Sequence, residues 1–321
     1  MESLHNVSSA VTLESFNIPP QGVIPAFLFA SLSYMIILLC NLILIFTIVL
    51  SKNLHQAKNL LLLNMPINDL IGSSAFFLQL IKEILTDSRS IQYSPCVTQA
   101  FFIHVYAAAT VLILAAMAYD RYVAICLPLK YNAIMTHAHI TRIIAAVWVT
   151  CLLMMAAIFY LLLRLPRCRS KISQLYCDNP SLLSLVCAST AVNNIFGLCT
   201  VAFTQLFVNG MILYTYLHIL VACFRSKRSD TKAKALQTCA THLFVFLLLE
   251  CLGLFTIISY RVKEMTPNLR RFMGSLTLIF PPTLNPIVYG LKTREIRENV
   301  VRFFRTVTSS RCRNRMLHPS C

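Results

Sequence analysis

The sequence predicts an all-α membrane protein, a bundle of seven transmembrane helices followed by a short amphipathic helix. The 321 residues are 57% hydrophobic and only 12% charged, with a mean hydropathy of +0.68. Soluble domains carry roughly 25% charged residues. Apolar runs recur along the chain, and each is long enough for a helix of roughly 20 residues that crosses a bilayer. Seven such runs with short connections leave no room for a separate soluble domain.

The seven apolar runs define the expected spans in chain order. They cover residues 23–50, 59–81, 95–125, 140–163, 193–224, 235–260 and 269–291. A basic amphipathic stretch at residues 293–304 is typical of a helix that lies on the membrane surface. We therefore expect three parts: a polar N-terminal segment, the helix bundle, and a tail that contains the amphipathic helix, at residues 1–22, 23–291 and 292–321.

The basic residues predict the orientation of the chain. Of the 28 Lys and Arg residues, 18 lie in segments on the side of the C-terminus and 10 lie elsewhere. This excess places the C-terminus in the cytoplasm and the N-terminus outside, at the plasma membrane. Asn6 opens an Asn-x-Ser tripeptide, the acceptor for glycosylation of an extracellular segment. The net charge of +16 is spread between apolar runs, which favours contact with membrane lipid and argues against nucleic acid.

Other function classes lack their signatures in the sequence. A transporter tends to have matched halves with interrupted helices, and a channel needs polar stripes or filter loops. Enzyme motifs such as zinc-spaced His/Glu sets or a phosphate loop are absent. The thirteen cysteines show no metal-ligand spacing. We expect neither enzymatic activity nor a cofactor, and a seven-span transporter or channel is the alternative from a different class.

The stretch Met-Ala-Tyr-Asp-Arg-Tyr-Val-Ala-Ile-Cys at residues 117–126 closes the third span. Asp120 and Arg121 thus lie where this helix leaves the bilayer. Neighbouring charges there are costly to desolvate unless they neutralise each other or find partners. Such a pair suits a switch, because a helix shift can exchange one arginine partner for another. The alternative is a solvated pair that anchors the helix end.

Further polar residues inside the spans indicate a second part of this switch. Asp69 lies in the middle of span two, Asn41 in span one and Asn285 in span seven. A network between them would satisfy Asp69, either as a fixed structure or as one that rearranges. Span seven ends in Asn-Pro-x-x-Tyr, where Pro286 removes a backbone hydrogen bond and kinks the helix ahead of Tyr289.

A candidate ligand pocket is indicated by ionisable residues in spans three and six. His104 lies in the outer part of span three, Glu250 midway along span six, and Arg261 at the outer end of span six. Eleven residues are about three turns, so Glu250 and Arg261 would share a face with a rise of roughly 16 Å. Helix–helix hydrogen bonding for His104 and snorkelling for Arg261 are the structural alternatives. Ala108 and Phe255 complete the candidate lining.

The motifs at residues 117–126, 234–242 and 285–289 resemble those of olfactory receptors, a branch of the rhodopsin-like G-protein-coupled receptors. The resemblance covers about residues 20–300. It implies a receptor that binds a small, water-soluble odorant between its helices and activates a stimulatory G protein to raise cyclic AMP. The nearest alternative is a non-olfactory receptor of the same architecture for a small amine or zwitterion.

The resemblance also implies roles for individual residues. The family's activation core matches Asp69, Asp120, Arg121, Tyr122, Tyr216, Asn285, Pro286 and Tyr289. In that family the matching tyrosine at Tyr216 stabilises the active position of Arg121, and the aspartate at Asp69 often holds sodium. Thr110 stands where olfactory receptors commonly add a glutamate. Four of the thirteen cysteines lie in the expected extracellular segments, and four cysteines can pair in three ways. Of these pairings, the family pattern implies the disulfides Cys96–Cys177 and Cys168–Cys187.

The resemblance extends to a particular branch. Phe-Ile-His ending at His104 and Tyr-Arg ending at Arg261 are similar to the class I, or fish-like, olfactory receptors. There the matching histidine and arginine line a pocket for small acids, and an arginine fork can donate two parallel hydrogen bonds to a carboxylate. Glu250 stands where the family often has tyrosine. It would instead bind an amine, pair with His104 or take part in the switch.

Overall fold

The computed structural model of the chain describes residues 9–14, 19–225, 229–262, 264–292 and 295–302. Its helices follow the expected order of spans. They are α1 (Pro20–Leu50), α2 (Ala57–Thr86), α3 (Tyr93–Cys126), α4 (Tyr131–Ile134), α5 (His137–Leu163), α6 (Asn179–Leu183), α7 (Ala191–Arg225), α8 (Ser229–Ser259) and α9 (Pro267–Lys292). Residues 295–302 are helical too, within the predicted amphipathic stretch. Asn6 lies outside the described residues.

The expected spans correspond to α1, α2, α3, α5, α7, α8 and α9, which confirms the predicted seven-helix membrane bundle. Within the described residues, six helices are long and apolar enough to cross a bilayer. The remaining one, α9, contains Arg270, Arg271 and, besides Pro267 at its start, three internal prolines. Several helices are longer than the apolar runs that predicted them, and α2 continues to Thr86 rather than ending at residue 81. An apolar run marks only the hydrocarbon segment, whereas backbone hydrogen bonding continues beyond it.

The central helix of the bundle is α3. It packs against α2, α5, α7 and α8, and its buried residues extend from Cys96 near its start to Val123 near its end. A helix buried on most sides is apolar around most of its circumference. Asp120 and Arg121 therefore reach the end of a helix that contacts most of the bundle.

The close approach of α2 to α3 depends on a glycine. A Cβ atom added at Gly72 would lie only 2.3 Å from the ring of Tyr106. Tyr106 is 2% exposed and packs among Phe76, Ile103 and neighbouring residues. The ring thus occupies the space that a side chain at position 72 would need, and a densely packed interior has little room to move it.

We expect Gly72→Ala to destabilise the folded protein by about 1–3 kcal/mol, because the added methyl group overpacks this contact. Thermal unfolding of purified protein in detergent would show a lower midpoint. Gly210→Ala is the matched control, since a Cβ at Gly210 meets nothing within 4 Å. Alanine is also the better helix former. Equal midpoints for the two variants would contradict the predicted clash.

A three-stranded sheet covers one end of the bundle, which we call the sheet end. The strands are β1 (Ala10–Leu13), β2 (Ser90–Gln92) and β3 (Lys171–Ile172), in the order β2-β1-β3. β1 runs antiparallel to β2 and parallel to β3. Val11 and Leu13 point into the core, with 0% and 1% exposure. The sequence predicts only a polar N-terminal segment here, because four residues are too few to show a strand period.

Charged residues attach β1 to the bundle. The Glu14 carboxylate lies 2.8 Å from Lys171 Nζ and also pairs with Arg271 of α9. Arg271 is buried, and its Nε donates to the carbonyl oxygen of Ser173 at 3.1 Å. The hydrogen bond from Lys171, assisted by both positive charges, holds the pKa of the Glu14 carboxyl below its usual value. The N-terminal strand, the segment after α5 and α9 are thereby joined at the sheet end.

Two disulfides fix the segment between α5 and α7. Cys96 at the start of α3 is bonded to Cys177, and Cys168 is bonded to Cys187. Gln99 strengthens the first connection, because its side-chain oxygen accepts from the backbone nitrogen of Cys177 at 2.8 Å. Its amide nitrogen donates to the carbonyl oxygen of Ala75 at 2.9 Å. The segment between α5 and α7 is therefore attached directly to α3 and, through Gln99, to α2.

Candidate functional site

Asp120 and Arg121 lie at the end of the bundle opposite the sheet, which we call the Arg121 end. Asp120 is 1% exposed, and its Oδ1 accepts a hydrogen bond of 2.8 Å from the hydroxyl of Tyr131 in α4. Arg121 Nη2 lies 3.7 Å from Asp120 Oδ2. That distance is too long for a hydrogen bond, so the guanidinium neutralises the carboxylate as an ion pair while Tyr131 fixes its position. Burial and the charge of Asp120 raise the pKa of Tyr131, which keeps its hydroxyl a donor.

Tyr216 and His242 form a second contact at the same end. The Tyr216 hydroxyl lies 2.6 Å from His242 Nδ1, and both side chains are buried. This bond joins α7 to α8 within electrostatic range of Arg121. Tyr216 is therefore engaged by His242 and not by Arg121, the partner that the resemblance implies for the active state. In the sequence, His242 was visible only as the last residue of the motif at 234–242.

Tyr122, the remaining member of the acid–arginine motif, faces α7. Its ring centroid lies 5.9 Å from that of Tyr214 and 5.7 Å from that of His218. Aromatic pairs at these separations attract each other beyond their apolar burial. The side chain of Tyr122 thus packs α3 against α7 beside the Asp120–Arg121 pair.

Asp69 and Asn285 meet in the middle of the bundle. The Asn285 side-chain nitrogen donates to both carboxylate oxygens of Asp69, at 3.2 and 3.0 Å, and both residues are buried. Neighbouring Asn68 bonds instead to α3, where it donates to the hydroxyl of Thr110 at 2.9 Å. This polar layer connects α2 with α9 and with α3. Sodium binding near Asp69 stays a prediction.

Asn41 has a different partner from the one expected. Pro286 has no backbone N–H, so the carbonyl oxygen of Pro282, four residues earlier in α9, loses its helical donor. The Asn41 side-chain nitrogen supplies that bond at 3.0 Å. Asn41 therefore compensates the proline break from α1 instead of contacting Asp69. Tyr289, one turn beyond Pro286, is 9% exposed, and its hydroxyl has no hydrogen-bond partner in the described part of the chain.

Glu250 is 7% exposed and contacts α7. With the Gln205 amide oriented so that its nitrogen faces Glu250, that nitrogen lies 3.0 and 3.1 Å from the two carboxylate oxygens. Asn209, one turn further along α7, donates to the carbonyl oxygen of Gln205 at 2.9 Å. Gln205 and Asn209 could not be selected from the sequence, because a polar amide in a span becomes a candidate site residue only when a charged partner lies opposite it in the fold.

The other candidate pocket residues lie on α3, on α8 and in the turn after α8. His104 Nδ1 lies 2.9 Å from the carbonyl oxygen of Ala100, and the imidazole edge packs on Phe159 of α5. Ala108, one turn further along α3, is half-buried and packs against the main hydrophobic core. Phe255 is half-buried on α8. The geometry assigns His104 to the α3–α5 contact and does not pair it with Glu250.

Arg261 does not lie on the helix that the sequence predicts for it. The predicted shared face of Glu250 and Arg261 assumes that the helix continues to residue 261, but α8 ends at Ser259. The backbone nitrogens of Arg261 and Val262 both bond to the carbonyl oxygen of Ile258 in a turn, at 2.8 and 3.2 Å. Arg261 is exposed. Its direction is therefore set by the turn and not by the helical period.

The bundle consists of seven membrane helices with α3 at their centre. An acid–arginine pair and a proline-broken last helix converge on the Arg121 end. Together these features define a rhodopsin-like receptor. The model of the olfactory receptor family matches residues 30–306. The chain belongs to this family of odorant-sensing G-protein-coupled receptors, which are multi-pass membrane proteins and not enzymes.

Individual human relatives agree with the family match. Olfactory receptor 52B2 of Homo sapiens is 35% identical over 276 residues, which cover 85% of each protein. Olfactory receptor 52N5 of Homo sapiens is 34% identical over 84% of this chain and 85% of its own length. Olfactory receptor 52J3 of Homo sapiens is 33% identical over 84% of this chain and 88% of its own length. The similarity thus extends over nearly the whole bundle.

Proposed function

We propose that this receptor binds a small, water-soluble odorant between α3, α7 and α8 and activates a stimulatory G protein that raises cyclic AMP. One observation carries the proposal: α8 holds Glu250 at mid-depth and His242 near the Arg121 end. The two residues are eight positions apart, a rise of about 12 Å along one helix. A ligand that displaces α8 at Glu250 would therefore also strain the Tyr216–His242 bond beside Arg121.

The same proposal sets the orientation, with the sheet end outside the cell and the Arg121 end in the cytoplasm. Disulfides persist in oxidising compartments, and both lie at the sheet end. Basic residues favour the cytoplasmic side. Glycosylation of Asn6 belongs to this orientation.

For the chemical class of the odorant, burial favours Glu250 over Arg261 as the anchor. Glu250 lies inside the bundle beside the Gln205 amide, whereas Arg261 is exposed in a turn. A carboxylate within the membrane is costly to keep without a partner, and an ammonium group would supply one. We propose an amine or zwitterion with Glu250 as its anchor. A small acid bound by Arg261 is the alternative outcome.

The test is a cyclic AMP assay in cells that express the receptor, with separate panels of small amines, amino acids and carboxylic acids. Amines should raise cyclic AMP, and Glu250→Gln should raise their half-maximal concentration about tenfold to a hundredfold, the effect of losing a hydrogen bond to a charged group. Arg261→Ala should leave it unchanged. A response confined to acids and abolished by Arg261→Ala would contradict the Glu250 anchor. A G-protein response without cyclic AMP would contradict the stimulatory coupling.

A further inference from the structure

A groove of about 510 Å³ lies between α2 and α3 near the sheet end. Its apolar part includes Leu78 of α2 and Phe102 of α3, which are 60% and 41% exposed. Exposed apolar side chains on two adjacent membrane helices face lipid, so the groove opens toward the acyl chains of the bilayer. It is separate from the five candidate pocket residues, none of which lines it.

Two nitrogen donors without partners line the groove on α2. Lys82 is exposed, and its ammonium group forms no ion pair within the described residues. The side-chain nitrogen of Gln79 is buried and has no hydrogen-bond partner there. Gln79 and Lys82 are three residues apart, so they are neighbours on the same side of the helix. A buried donor without an acceptor destabilises the folded protein, and an acceptor bound in the groove would remove that cost.

Polarity changes along the groove in a consistent direction. On α3, Ser94, Thr98 and Phe102 follow each other at intervals of four residues, so they form one row along the helix. On α2, Leu78 and Lys82 have the same interval. In both rows the polar residue lies toward the sheet end and the apolar residue lies deeper in the bundle. The groove is therefore polar and basic at its mouth and mainly apolar at its base, where the one polar lining residue, Ser74, already accepts a hydrogen bond of 3.0 Å from Tyr34.

We propose that this groove binds a long-chain carboxylic acid from the leaflet at the sheet end. The carboxylate would accept from Lys82 and Gln79, while the single acyl chain would lie along Leu78 and Phe102. The volume falls within the range of about 300–1,000 Å³ typical of small-molecule sites. The only acidic residue beside Lys82 in sequence, Glu83, is buried and does not line the groove. This lipid site is additional to the odorant pocket and does not depend on it.

The experiment is photo-crosslinking of the full-length receptor in nanodiscs of phosphatidylcholine. The probe is a 16-carbon fatty acid with a diazirine midway along the chain, and the labelled residues are located by mass spectrometry. We expect labelling within residues 74–82 and 94–102. Lys82→Gln should reduce it about fivefold, the upper range for an exposed ion pair, whereas Lys82→Arg should retain it. The methyl ester of the probe should label as weakly as Lys82→Gln does with the acid.

Arg164→Gln is the matched control, because Arg164 is an exposed basic residue that directly follows α5 at the sheet end and lies outside the groove. It should label like the unmodified receptor. Equal labelling of Lys82→Gln and Arg164→Gln, or labelling spread over other helices, would overturn the proposal. If Lys82→Gln fails to reach the surface, Gln79→Leu provides the same comparison, since it removes the second donor and leaves the charge in place.

Discussion

Replacing Cys96 with serine is expected to remove most of the receptor from the cell surface. The Cys96–Cys177 disulfide joins residues 81 positions apart, and Cys168–Cys187 joins residues 19 positions apart. Because a cross-link restricts the unfolded chain more when its loop is longer, the chain-entropy model gives about 4.5 kcal/mol for the first and about 3 kcal/mol for the second. Both are upper bounds here, since the membrane already holds α3 and α5. The free energy of unfolding of a folded protein is only about 5–15 kcal/mol, so losing the Cys96–Cys177 disulfide removes a large share of it.

The measurement is antibody staining of intact cells, normalised to total receptor. Surface signal should fall most for Cys96→Ser, less for Cys168→Ser, and not for Cys199→Ser, because Cys199 is a free, exposed cysteine of α7. The double variant Cys96→Ser with Cys177→Ser separates loss of the bond from damage by a lone thiol. A larger loss for Cys168→Ser than for the double variant would contradict the expected order.

The helices of this protein could be predicted closely because a bilayer imposes a simple rule on the sequence. Each span must be apolar over the thickness of the hydrocarbon and must satisfy its own backbone. The rule fixes the middle of a helix but not its ends, so α8 begins at Ser229 rather than at residue 235. It also gives no information about β1, whose four residues pair with segments about 80 and 160 positions away.

The candidate site was predictable where a charge stands alone in an apolar run. The sequence singles out Asp69, Asp120 and Glu250 for that reason. The structure joins Asp69 to Asn285 by hydrogen bonds, which is one of the contacts that the expected polar network between spans one, two and seven contains. The partners Tyr131 and Gln205 could not be chosen from the sequence, because tyrosines and amides are frequent and only tertiary packing selects among them.

Arg261 shows the limit of reasoning from helical periodicity. The spacing from Glu250 gives a shared face only while the helix continues, and α8 ends two residues before Arg261. The end of a membrane helix depends on its caps and on the loop that follows, which hydropathy does not report. The positions of residues near the ends of spans are therefore the part of such a site that the sequence predicts least well.

The Asp120–Arg121 pair should hold the receptor in its resting state, and Asp120→Asn is expected to raise basal signalling. The substitution keeps the shape of the side chain but removes the charge that attracts Arg121 across 3.7 Å. Since the Arg121 side chain is partly exposed, water replaces some of the lost attraction. A net change of about 1–2 kcal/mol would increase the active fraction about five- to thirtyfold. The released Arg121 is then available to Tyr216 once the bond to His242 breaks.

Tyr131→Phe separates the charge from the hydrogen bond. It removes the 2.8 Å bond to Asp120 and should lower stability by about 1.5–3 kcal/mol, as expected for a hydrogen bond to a charged group. The carboxylate remains, so basal cyclic AMP per surface receptor should stay low. Tyr119→Phe is the control, because the Tyr119 ring packs on His139 of α5 and takes no part in the bond to Asp120. If Tyr131→Phe raised basal signalling as much as Asp120→Asn, the hydrogen bond and not the ion pair would hold the resting state.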